Sequence, residues 1–205
     1  MAEQPRKKAA KSRLVVGLSG ASGVTYGIRL LEALGELGVE SHLVMSKAAE
    51  MTIGYETALN PKDVAAKADH VYAIGDIAAP IASGTFKTGG MIVAPCSVRS
   101  MSEIATGVTS SLLTRAADVT LKERRPLILV VRETPLHLGH LRTLVKLAEM
   151  GAVIAPPVPA FYADPATVAE MVDQSVGRAL DIFGLSWGAV RRWGADIEEA
   201  VKDGD

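Results

Sequence analysis

Apolar residues recur along this chain in two alternating rhythms. Short, largely unbroken β-branched runs appear as RLVVGL from residue 13, SHLVM at 41–45, MIVA at 91–94, LILVV at 127–131 and GAVI from 151. Continuous runs of this length suit parallel strands buried on both faces. Between them lie helical patterns. VTYGIRLLEALGELG places Ile28, Leu31, Leu34 and Leu37 on one stripe and closes at Gly38. Residues 47–56 predict a helix that ends near Glu56, and Asn60-Pro61 opens a short one over PKDVAAKA. VYAI suggests a small strand and IASGT a loop. The stretch from Met101 to Val119 reads as helical apart from Gly107, with the pattern continuing to Lys122 and Glu123. In 138–150, Leu141, Leu144, Val145 and Leu147 fall on one face. Asp164-Pro165 predicts the cap and start of a long helix to Phe183. Strands alternating with helices imply an α/β fold, a parallel sheet covered on both sides.

Composition narrows this to one domain. The chain has 205 residues, of which 48% are hydrophobic and 4% aromatic, so the core must be built from aliphatic side chains. Its formal net charge is -1, which gives no general field for nucleic acid or an anionic membrane surface. A single cysteine, Cys96, excludes an internal disulfide framework and suits a reducing compartment. No run approaches the roughly 20 apolar residues of a membrane span, and the N-terminus lacks a signal-peptide core, so a soluble cytoplasmic protein is expected. Residues 1–12, MAEQPRKKAAKS, read as a flexible basic arm, 13–185 as the folded domain, and 186–205 as a tail. The tail's Trp187 and Trp193 either meet a ligand or neighbouring subunit, or pack back on the domain.

The polar chemistry clusters just after strands. Gly17, Gly20 and Gly23 with Ser19 and Ser22 follow the first, and strand, glycine loop, helix is an arrangement that aims backbone N–H groups at a phosphate. The spacing is not that of the dinucleotide fingerprint, so a mononucleotide fits better. Ser46 ends the second strand, the turn 97–100 the third, the pair Arg132-Glu133 the fourth, and Tyr162 follows the last. Ligands of open α/β sheets bind at that edge. Arg115 and Lys122 are two helical turns apart and predict a cationic face that wants an anion. Together these groups suit a phosphorylated cofactor and a second phosphate, with Glu133 or Glu56 as acid or base. Cys96 has no evident base and reads as structural. His137 and His140, an H-x-x-H without a third ligand, read as structural or supporting, and no metal is expected.

GLSGASG, SKAAEMTIGYET, ASGTF, MIVAPCS, RAADVTLKERRPLILVVRETP, GAVIAPPVPAFY and RRWG together resemble the UbiX-like flavin prenyltransferases, from about Leu14 to Trp193. The resemblance implies a flavodoxin-like Rossmann three-layer sandwich with a mostly parallel sheet. It implies FMN, reduced, as bound substrate, and transfer of a dimethylallyl group from dimethylallyl monophosphate to flavin N5 and C6. The product would serve a UbiD-type decarboxylase, although family members were once taken for decarboxylases themselves. By position, FMN is expected at Gly20, Ala21, Ser22, Ser46, Ser97, Val98, Arg99, Ser100 and Arg132. The prenyl phosphate is expected at Arg115, Lys122, Tyr162 and Arg178, with Glu133 as proton donor, Ser22 and Glu56 managing flavin protons, and Trp193 walling the dimethylallyl tail. A homo-oligomer, commonly a dodecamer, with sites completed by neighbouring subunits is also implied. The chain departs from the family at Val98-Arg99, Ser110-Ser111, Val131 and Arg142-Thr143. An FMN-dependent decarboxylase of the phosphopantothenoylcysteine type and a non-catalytic FMN carrier are the alternatives. The former uses an asparagine-bearing loop, whereas Asn60 here opens a helix.

Overall fold

The structure, a computed structural model, describes residues 12–194. Six strands, β1 (Arg13–Leu18), β2 (Glu40–Met45), β3 (His70–Tyr72), β4 (Met91–Cys96), β5 (Leu127–Val131) and β6 (Val153–Ile154), form one sheet in the order β3-β2-β1-β4-β5-β6. Every neighbouring pair is parallel. Without the three-residue edge strand β3, the remaining order is the 2-1-3-4-5 of flavodoxin-like sheets, as the resemblance implied.

Alternation along each strand divides the core in two. Leu14, Val16 and Leu18 face one side and pack with α1 (Val24–Glu36), α2 (Lys47–Glu56), α3 (Pro61–Ala65) and α7 (Val168–Asp181). Val15, Met91, Val93 and Leu129 face the other and pack with α4 (Val98–Thr106), α5 (Leu112–Lys122) and α6 (Leu138–Glu149). This makes the three layers.

Several boundaries differ from expectation. Residues 97–100 are not a free turn: Ser97 is an N-cap and Val98 opens α4. The break around Gly107 extends to Ser111, which caps α5 with a reciprocal Thr114 bond. Asp164 does not start the last helix. It sits in the left-handed region at φ 46°, and Thr167 caps α7 instead, its hydroxyl accepting from the Glu170 N–H at 3.2 Å. On α6 only Leu147 is buried, while Leu138, Leu141 and Val145 are exposed, so its apolar stripe is wider than the core it covers. Among the described residues no helix is long and apolar enough to cross a membrane. Of the predicted terminal segments, 1–11 and 195–205 lie outside the described residues.

Candidate active site

The chain runs from β1 outward to β2 and β3, then returns beside β1 as β4 and proceeds the other way. Loops leaving β1 and β4 therefore diverge, and a crevice opens between them at the carboxyl edge. Ser19 is the hinge of that crevice. Its buried hydroxyl donates to Pro95 O at 2.9 Å and accepts from the Ser97 N–H at 2.7 Å, joining the two loops. It is thereby committed to the scaffold rather than free for a ligand.

The crevice holds a cavity of about 500 Å³. Gly20, Ala21 and Ser22 line it from β1, Ser46 from β2, Ser97, Val98, Arg99 and Ser100 from β4, and Arg132 with Glu133 from β5. Every residue expected to hold flavin thus meets in one place, with Glu133 beside them. Three helices start here: α2 capped by Ser46, α4 by Ser97 and α5 by Ser111. Each cap oxygen accepts only the N–H three residues on. The preceding N–H groups and three positive dipole ends remain directed at the cavity, an arrangement that attracts phosphate. The Lys47, Ala48 and Ser111 contributions were missed in the sequence, where N-cap serines at strand ends were the available signal.

The glycine loop contributes differently than expected. Gly23, at φ 94°, is the N-cap of α1 without a side-chain oxygen, and Glu56 from the end of α2 replaces it. Glu56 Oε2 accepts from the N–H groups of Gly23 at 2.8 Å and Val24 at 3.0 Å. Partial burial would raise the Glu56 pKa, but hydrogen bonds from Ser22, Gly23 and Val24 and the charge of Arg132 outweigh it and hold the carboxyl below its ordinary range. The first turn of α1 is therefore already neutralised. Gly20 has another reason: a Cβ there would lie 2.2 Å from Ala48 Cβ, so glycine lets the loop press onto α2.

Arg132 is exposed; its backbone N–H donates to Cys96 O at 3.2 Å, while its guanidinium forms no hydrogen bond or ion pair with another described residue, and the Thr134 N–H donates to Glu133 at 2.9 Å. Tyr26 stands near Arg132 and lines a second, more apolar cavity of about 220 Å³ on the α1/α7 side of the sheet. Burial raises the Tyr26 pKa, and Arg132 opposes this.

Arg178 lines that second cavity and pairs with Asp181 at 2.6 Å. Tyr162 is held nearby: its hydroxyl accepts from Gln174 Nε2 at 3.4 Å, and its ring meets Trp193 edge-on at 5.6 Å. Gln174, 5% exposed, also donates to Arg191 O and accepts from the Arg191 N–H, clamping the tail segment that carries Trp193. An amide on the buried face of α7 is the sequence signal for this clamp. The two tryptophans separate in role. Trp187 is buried on α1, its Nε1–H donating to Glu36 at 2.6 Å and its ring under Arg29, whereas Trp193 is exposed.

Arg115 and Lys122 line neither cavity. The first pairs with Asp118 at 2.7 Å and the second with Glu123 at 2.5 Å. Helix α5 starts at the cavity with Ser111 and runs back toward the opposite edge, ending beside Gly84. Its eleven residues span about 16 Å. Within one chain, then, these cations do not face the anion that their spacing suggested. Cys96 is fully buried and its thiol is pushed up to about 12, which removes it as a nucleophile. His137 caps α6, its Nδ1 accepting from the Gly139 and His140 N–H groups, and so supports the helix rather than a metal.

The Flavoprotein family model matches residues 2–180. The flavin prenyltransferase UbiX of Thauera aromatica is 52% identical over 92% of this chain and 97% of its own length, and that of Escherichia coli K12 is 54% identical over 85% and 93%. Among solved structures, AnUbiX (PadA1) in complex with FMN and dimethylallyl pyrophosphate superposes with a TM-score of 0.89 at 51% identity, covering 90% of this chain and 98% of that one. A dodecameric FMN-dependent Ubix-like decarboxylase from Escherichia coli O157:H7 gives 0.87 at 49%, covering 89% and 100%. A carboxyl-edge cavity ringed by helix N-termini, with likeness of this extent running through the elements that form it, leads to one assignment: the chain belongs to the UbiX family of flavin prenyltransferases.

Proposed function

We propose that this chain joins a dimethylallyl group from dimethylallyl monophosphate to N5 and C6 of reduced FMN, releasing phosphate and giving prenylated FMN for a UbiD-type decarboxylase. What carries the reading is the meeting of three capped helix N-termini with Arg132 and Glu133 in one cavity. Backbone N–H groups of α2, α4 and α5 and the hydroxyls of Ser46, Ser97 and Ser100 hold the flavin phosphate and ribityl chain, and Arg132, unpaired, orients the ring system. Bound reduced FMN supplies the nucleophilic nitrogen and carbon. Ser22, hydrogen bonded to the ionised Glu56, relays protons at that nitrogen.

An allylic phosphate ionises when its departing oxygens meet cations and a proton. Glu133 supplies the proton, and Arg178 with Tyr162 binds the phosphate at the mouth of the apolar cavity, where Trp193 walls the hydrocarbon tail. Arg115 and Lys122 act on the same phosphate from a neighbouring copy in a homo-oligomer, since neither reaches a cavity of its own chain. The exposed Leu138, Leu141 and Val145 of α6 supply apolar surface for such an assembly, a dodecamer by analogy with the E. coli O157:H7 neighbour.

Anaerobic incubation with reduced FMN and dimethylallyl monophosphate, followed by mass spectrometry of the extracted flavin, tests the proposal. A flavin heavier by one prenyl unit, with phosphate released, is expected. Unchanged FMN would favour a carrier. Release of carbon dioxide from a phosphopantothenoylcysteine-type substrate without flavin modification would favour the decarboxylase reading.

A further inference from the structure

At the opposite edge of the sheet, a second group of side chains has ligating chemistry. Parallel pairing sets His42 of β2 directly beside His70 of β3, and Glu40, two residues before His42, projects from the same face. Glu40 Oε1 lies 3.0 Å from His42 Nε2 and 3.3 Å from His70 Nε2, and the three ligand atoms all fall within 4.8 Å of one another. Around a tetrahedral zinc ion, with bonds of about 2.0–2.1 Å, neighbouring ligand atoms stand roughly 3.3 Å apart. Two of the three separations therefore already match, with no backbone movement required.

The surroundings fit as well. His42 is almost fully buried, and its second ring nitrogen, Nδ1, is 2.9 Å from Tyr72 Oη. A hydroxyl can accept as well as donate, so Tyr72 can accept from Nδ1–H in the tautomer that leaves Nε2 free for a metal. Phe86 meets His42 edge-on at 5.1 Å, and the ring of the half-exposed His70, now stacked on His42 at 4.6 Å and 15°, must rotate about its side-chain torsions for both lone pairs to meet one ion. His70 is half exposed, which leaves an outward side open to water as a fourth ligand. One group opposes the cation: Arg13 Nε donates to the same Glu40 oxygen at 3.0 Å. It can transfer to the other carboxylate oxygen but remains a nearby positive charge.

We propose that Glu40, His42 and His70 form a binding site for a borderline divalent cation, zinc above all, with water completing the tetrahedron. The site lies toward the amino ends of β2 and β3, with His42 four strand steps, about 13 Å, from the cavity-lining Ser46, so its role is to pin the edge strand β3 rather than to take part in prenyl transfer. It is independent of the reading of the carboxyl-edge cavity.

Isothermal titration of tag-free, FMN-loaded protein with zinc chloride tests the site, with cobalt(II) as a spectroscopic probe. One zinc per chain and the visible absorption of tetrahedral cobalt are expected. His70→Ala, at a half-exposed position, abolishes both without lowering flavin content. Tyr72→Phe weakens binding about 10- to 100-fold. Arg13→Ala strengthens it, a sign that adventitious histidine binding would not give. A wild-type chain that takes up no zinc, or a His70→Ala isotherm matching wild type, overturns the proposal.

Discussion

Glu56, the last residue of α2, caps α1 through the backbone N–H of Gly23 at 2.8 Å. A carboxylate from one helix thus does for another what a serine or aspartate normally does from within. Glu56→Ala should cost about 0.5–1 kcal/mol, or roughly 2–4 °C in melting temperature. Because the folded carboxyl has a lowered pKa, its contribution is complete above the unfolded value near 4.3 and is lost as pH falls through the folded one. Thermal scans of the variant and wild type should therefore differ at pH 7 and converge only once the pH has fallen below the lowered pKa of the folded carboxyl. A gap that persists in acid would separate the cap from ionisation.

Gly20 is placed where any Cβ meets Ala48. Gly20→Ala should push the loop off α2 at a cost of about 1–3 kcal/mol and lower the flavin that copurifies with the protein. Visible absorbance of the purified variant reads this directly, and full flavin content would show that the loop does not shape the cavity.

Glu133 borders the cavity without a charged partner of its own among the described residues. Glu133→Gln should retain FMN and slow turnover about 10²- to 10⁴-fold, the usual weight of a general acid. Single-turnover kinetics with preloaded reduced flavin distinguish this from weaker binding.

Arg115 and Lys122 make a prediction that single-site kinetics cannot. Arg115→Ala and Glu133→Gln should each be nearly inactive alone. If the cation serves a neighbour's site, mixed oligomers of the two should regain activity, because some sites draw an intact Glu133 from one chain and an intact Arg115 from another. Mixtures that are no more active than either parent would place both residues in the same site.

Buried Cys96, its thiol pushed up to about 12, should resist iodoacetamide at pH 8 in the folded protein and react once denatured. Mass spectrometry of the alkylated peptide under both conditions checks this.

The strands, and the clustering of polar groups after them, were legible because both follow from local rules: LILVV can hardly be anything but a buried strand, and whatever follows it must emerge at the carboxyl edge. Residues whose roles depend on distant pairing were less legible. Ser19 reads as a loop hydroxyl until Pro95 and Ser97 are brought to it. Arg115 and Lys122 do share a helix, but the direction of α5 relative to the sheet, which spacing cannot reveal, carries Lys122 away from the cavity. The start of α7 was misjudged because Asp164-Pro165 has the composition of a cap, while the left-handed Asp164 makes it a corner and leaves capping to Thr167. His42 and His70 are 28 positions apart, and only strand register makes them neighbours.

The three helix starts around the cavity make its affinity for phosphate largely a property of the main chain. Side chains there, those of Val98 and Arg99 among them, can change while the N–H groups of the same turn go on donating. Such donors do not titrate, so this part of the grip on a phosphate should hold steady between about pH 7.5 and pH 9, where the phosphate stays a dianion. The cavity can lose sequence without losing its charge.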